Sequence, residues 1–147
     1  MSDGITIRIT GLPRALAKID AAIRNIGNTA SLHDAIGHAL VSRVVQGFDL
    51  STGPYGKWRD LVDSTIARRR KRSKKPLLDS QRLRGSITHE FDQRSVRVGT
   101  NVEYAQYHQF GTRTIPRRAF LPDRGLPKQW EQEDVVDTVE AFLSQGL

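Results

Sequence analysis

The spacing of hydrophobic positions changes several times along the chain, and each change marks an element. In GITIRITG, Ile5, Ile7 and Ile9 alternate with polar neighbours, the period-two pattern of a half-buried strand, which Gly11 closes. The period then lengthens. Leu12, Leu16, Ile19, Ile23 and Ile26 recur at helical spacing, with Pro13 in the first turn and Gly27 as the stop. A second helical stripe, Leu32, Ile36, Leu40 and Val44, ends near Gly47-Phe48, and Ser31 is expected to cap it, with Asp34 three residues on. DLSTGPYGKWRDL reads as a Gly/Pro turn region carrying Trp58.

Beyond it, Leu77 to Leu83 reads as a short helix broken by Gly85. Ile87, His89 and Phe91, then Val96 and Val98, alternate on either side of Asp92 to Arg94, which predicts a β-hairpin. Val102 to Phe110 fits a short helix ending at Gly111, although its aromatics suit a strand equally. From Lys128 to Leu143 an amphipathic helix places Val135, Val136, Val139, Phe142 and Leu143 on one side. No internal repeat is visible. Strand, helices, strands and helix in that order predict an α+β fold: a small antiparallel sheet packed with two N-terminal helices and a C-terminal helix. The 147 residues read as one domain, with a mobile basic loop near 67–76.

Composition narrows the chemistry. There are no cysteines, so disulfides, thiolate nucleophiles and cysteine-ligated metal centres are excluded for this chain. No apolar run approaches the roughly 20 residues that span a bilayer, and the start has no signal-peptide core, so a soluble protein made in a cytoplasm, with no membrane partner, is expected. The net charge of +7 is unevenly placed: residues from Lys128 onward carry −4, leaving +11 on the first 127. Such a body is drawn toward nucleic acid or an acidic protein surface without any sequence-specific recognition.

The charge peaks in RRRKRSKK, where Arg68, Arg69, Arg70, Lys71, Arg72, Lys74 and Lys75 make seven of eight positions basic. Two readings stay open: contact with phosphates or an acidic partner, and a solvated loop of self-repelling charges. A nuclear localisation signal is a third, if the source is eukaryotic. No aromatics are interleaved, so base stacking is not supported.

The histidines offer little catalysis. His108 has Glu103 nearby, but no nucleophile signature accompanies it, and His108 and His89 read as packed or hydrogen-bonded structural residues. His33 and His38 are five apart, which turns their imidazoles about 140° from one another on a helix and makes them poor joint metal ligands. GPYGKW lacks the strand and spacing of a phosphate loop. No catalytic, cofactor or metal site is expected.

Four segments in order, GFDLSTGPYGKWRDL, LLDSQRLRGSI, VGTNVEYAQYHQFGT and IPRRAFL, carry a resemblance across about residues 31 to 122. They resemble the phage virion morphogenesis family, the Mu-like protein G and tail-completion proteins of tailed bacteriophages. Gln81 stands where the family usually has Gly, Ala119 where a second proline is common, and the basic run exceeds the family pattern.

The resemblance implies a structural part of a virion rather than an enzyme. It implies a homo-oligomeric ring, commonly six-fold, at the head–tail junction, docked to tail tube and neck or connector proteins and assembled in the host cytoplasm. Tail completion is the leading expectation, a neck or head-completion connector the rival. A small sequence-independent DNA-binding protein is a second alternative, and a metal-dependent nuclease comes third. On this view Trp58, Tyr104, Tyr107, His108 and Phe110 pack the subunit and Gly111 permits a tight exit. Arg117, Arg118, Phe120 and Leu121 present an anchor to a neighbouring subunit, or, for Phe120 and Leu121, simply join the core. Apart from the resemblance, which says nothing of the basic run, Arg68 to Lys75 in such a ring would point toward the channel through which genomic DNA passes or toward an acidic partner ring.

Overall fold

A central strand, Ser95–Thr100, is flanked on both edges and covered by a long helix, and the rest of the fold is arranged around that pairing. The computed structural model describes residues 4–10, 29–68, 76–77 and 81–146. The predicted helix over Leu12 to Ile26 lies outside them, as do Arg69 to Lys75 and hence nearly all of the expected basic loop.

Strand β1 (Ile5–Thr10) is followed by helix α1 (Ala30–Leu50) and a two-residue hairpin of β2 (Thr52–Gly53) and β3 (Gly56–Lys57). Helices α2 (Asp63–Arg68) and α3 (Arg82–Gly85) lead to β4 (Thr88–Phe91), β5 (Ser95–Thr100) and α4 (Ala105–Phe110). The chain closes with α5 (Lys128–Trp130), a π-helical segment (Glu131–Val136) and α6 (Asp137–Gly146). The three-stranded sheet is antiparallel in the order β1-β5-β4. The fold is α+β with a small antiparallel sheet.

Register sets which side chains meet α1. Ile7 pairs with Val98, which pairs with His89, and Ile9 pairs with Val96, which pairs with Phe91. Directly opposed residues share a sheet face, so Val96 and Val98 turn toward the buried stripe of α1: Leu32, Ile36, Leu40, Val44 and Phe48. The hairpin turn is held by Asp92, whose carboxylate accepts from the Arg94 and Ser95 amides at 2.7 and 2.8 Å. Those donors stabilise the ionised form and hold the Asp92 carboxyl below its ordinary value.

Local expectations shift at several boundaries. Helix α1 starts at Ala30 with Thr29 in the cap position, and no side chain caps it. The Thr29 hydroxyl instead donates to Gln93 O at the hairpin tip, fastening the helix start to the β4–β5 turn, so Ser31 is not the cap. The helix runs past Gly47-Phe48 to Leu50 and ends on left-handed Ser51. Of the expected helix from Leu77 to Leu83, Leu78, Asp79 and Ser80 lie outside the described residues, Leu77 (φ 64) and Gln81 (φ 60) are left-handed, and a helix follows at Arg82–Gly85. The aromatic stretch before Gly111 is helical from Ala105. Among the described residues no helix is long and apolar enough to cross a membrane.

The C-terminal helix lays Val135, Val136 and Val139 against the core. It also meets α1 through charge: Arg43 Nε lies 3.0 Å from Asp134 Oδ2, and the same guanidinium bonds Glu133. Burial outweighs Arg43 at Asp134 and raises its carboxyl above the ordinary value, whereas exposed Glu133 is lowered by the guanidinium.

Candidate functional site

The stretch from Tyr104 to Pro122 wraps α4 with a return segment, and each face of this six-residue helix has a different job. Ala105 and Gln109, four apart and so on one face, are fully buried. The Gln109 amide is bonded at both ends. Its oxygen accepts from the Phe120 and Leu121 amides, each at 3.0 Å, and its nitrogen donates to Leu121 O at 2.8 Å and Asp123 Oδ2 at 3.0 Å. One side chain thereby pins the return segment to the helix.

That segment takes Phe120 and Leu121 into the core, at 1% and 0% exposure. Phe120 packs on Phe48 (5.5 Å between centroids), and Phe48 meets Trp58 edge-on at 5.4 Å. The Trp58 indole N–H donates to Ala119 O at 2.8 Å, closing the β2–β3 hairpin over the same segment. Phe120 and Leu121 are thus spent inside their own subunit and are not an exposed anchor; the core reading of this pair is the one the geometry gives. Arg118 is also buried, donating to the Arg59 and Asp60 carbonyls at 2.8 and 3.2 Å. Arg117 reaches Asp123 at 2.9 Å with 30% of its side chain exposed.

A second face of α4 carries Tyr104 and His108, four apart with rings edge-to-face at 5.9 Å. Both line a cleft of about 820 Å³ with Arg59, Asp60, Arg68 and Leu83. The Arg82 guanidinium lies 5.6 Å from the Tyr104 ring centroid. Gly111 leaves the helix at φ 77, and a Cβ there would stand 2.9 Å from Arg117 N, so the exit needs a residue without one.

The third face corrects another expectation. Tyr107 and Phe110 do not pack the subunit; they are 47% and 53% exposed, three apart, and point away from the core. Periodicity shows why sequence reading misplaced them. In a helix of six residues, Ala105 and Gln109 take the inward face, and the alternating aromatics are left to the sides. The role of Gln109 was missed because a buried amide leaves no apolar signal.

Of the basic run only Arg68 is described; it ends α2, is exposed, and donates through Nε to Ser64 O at 3.2 Å. Of the histidines, His33 is buried and donates from Nδ1 to Thr29 O at 2.8 Å, apart from His38, as their spacing requires. His38 is exposed and lies beside Asp34 and His89.

Comparison with known proteins places this arrangement. The chain is 30% identical over 146 residues to Mu-like prophage FluMu G protein 2 of Haemophilus influenzae, covering 95% of this chain and 96% of that protein. No solved structure matches it. The profile of the phage virion morphogenesis family matches residues 7–144, well beyond the motif-bearing middle and into both the first strand and the last helix. With the family's motifs locked together around α4 and its profile spanning nearly the whole chain, this protein belongs to the phage virion morphogenesis family.

Proposed function

We propose that the protein completes the tail of a phage particle, forming a six-fold ring at the head–tail junction and acting by self-association and docking without catalysis. The observation that carries this reading is the near end-to-end match to the virion morphogenesis family, since the family's business is building particles. The exposed Tyr107–Phe110 pair supports it: aromatic side chains held on a rigid, internally bonded helix are the type of group that anchors protein interfaces. The motif resemblance to tail-completion proteins favours the tail over the neck. The basic sequence that begins at Arg68 contacts the passing DNA in this reading, since sequence-independent phosphate contacts tolerate sliding.

Electron microscopy of lysates from a phage or prophage lacking the gene tests it. Filled heads beside separate tails, especially tails of irregular length, are expected. Normal tails beside heads that have lost their DNA would move the protein to the neck. Intact, infectious particles would overturn the structural role altogether.

A further inference from the structure

His89 occupies a position where the sheet calls for an apolar residue. It lies opposite Val98 on the row that faces α1, between Ile87 and Phe91 in the alternation, and its side chain is only 12% exposed. It reaches α1 because Gly37 is there. A Cβ at Gly37 would stand 2.2 Å from His89 Cδ2, so the imidazole lies on bare helix backbone. On either side of Gly37, Asp34 and His38 are four apart and project from one helix face toward the same ring.

The three side chains converge. His89 Nε2 is 2.8 Å from Asp34 Oδ1, His38 Nε2 is 3.5 Å from the same oxygen, and the imidazoles meet edge-on at 4.6 Å. All three donor atoms lie within 4.8 Å of one another. Ligands about 2.0–2.1 Å from a tetrahedral ion are roughly 3.3 Å apart, a spacing that the 2.8 and 3.5 Å separations bracket.

We infer that Asp34, His38 and His89 form a binding site for a divalent transition-metal ion of the zinc type, clamping helix α1 to strand β4. Two imidazole nitrogens and one carboxylate oxygen suit borderline ions such as zinc, cobalt or nickel, whereas magnesium and calcium take all-oxygen sets. Three protein ligands leave a fourth position, and the 72% exposed His38 side chain opens it to water. The inference stands apart from the tail-completion reading, because it concerns the subunit itself.

The test uses the full chain, freed of any histidine tag and stripped with chelator, then titrated with Co²⁺ by visible absorption and with Zn²⁺ by thermal unfolding. The expected result is one equivalent bound, with d–d bands of a low-coordinate site. At a hundredfold excess of Zn²⁺ over Kd, the midpoint rises by about 5 °C or more. His38→Gln, at an exposed position, should keep the fold and weaken Co²⁺ binding by roughly tenfold or more. Gly37→Ala should displace His89 and lose the site as well, while His33→Gln should bind as the parent does. Absent cobalt bands, an unmoved zinc midpoint, or a His38→Gln chain that binds like the parent would each overturn the site.

Discussion

Gln109 is a polar side chain with no exposed surface whose amide meets four partners, three of them main-chain groups of Phe120 and Leu121. Replacing it with an apolar residue of similar size strands those groups in the interior, where each unsatisfied partner costs about 1–3 kcal/mol. Gln109→Leu is therefore expected to lose about 3 kcal/mol or more, lowering the midpoint by roughly 10 °C in a thermal melt. Gln81 makes the opposite case. It sits at φ 60, a conformation that costs a residue with a Cβ about 1–2 kcal/mol. The glycine that the motif resemblance puts at this place then has a physical reason. Gln81→Gly should stabilise by about 0.5–1 kcal/mol after the added freedom of the unfolded chain is subtracted, measurable in urea. A loss on that substitution would show that the Gln81 side chain has a role of its own. At this scale the sequence was legible where a residue type has one use: Trp58 in a turn, Gly111 at a helix exit. It was illegible at Gln109 and His89, whose partners come from 12 and 55 positions away.

At the scale of elements, the apolar stripe of α1 and the alternation of β1, β4 and β5 were readable because each follows the period of its backbone. Helix ends were not, because they are set by distant groups: Thr29 turns its hydroxyl to Gln93 rather than to its own helix. The join between α1 and the C-terminal helix is likewise a pairing that periodicity does not encode. Arg43 faces Asp134, whose side chain is 10% exposed, and Glu133, whose side chain is 48% exposed. Removing the guanidinium leaves Asp134 charged and buried, so Arg43→Ala should cost about 3 kcal/mol, nearly all through Asp134 rather than Glu133. Asp134→Asn in that background should restore part of it. The pH dependence has a definite sign. Burial already raises the folded-state pKa of Asp134, and losing Arg43 raises it further. The penalty is thus absent at acid pH, where the group is protonated in both states, and grows as pH rises through the folded-state value. Denaturation of the variant at pH 4 and pH 7 would check this; a deficit independent of pH would reject it.

For the whole molecule, family and α+β architecture were legible, while which aromatic side chains lie at the surface was not. Phe120 and Leu121, for which an outward anchor and a place in the core were both open, lie in the core, and two residues expected to pack inside, Tyr107 and Phe110, lie outside. Charge asymmetry is also partly internal, since Glu133 and Asp134 already meet Arg43. Tyr107→Ser with Phe110→Ser should leave the unfolding free energy within about 0.5 kcal/mol, as surface changes do. In complementation of a gene-deleted phage it should lower the titre by about tenfold or more if these rings anchor assembly. A full titre from the double variant would move the docking surface elsewhere. The same helix also defines how such a joint bears load. Tyr107 and Phe110 share α4 with Gln109, whose amide bonds the main chain of Phe120 and Leu121, and the Arg118 amide bonds His108 O of the same helix, so the segment that carries Phe120 to Phe48 is tied to α4 at more than one point. A load on either ring would therefore be shared between these bonds and the buried Ala105 side of the helix rather than carried by one contact.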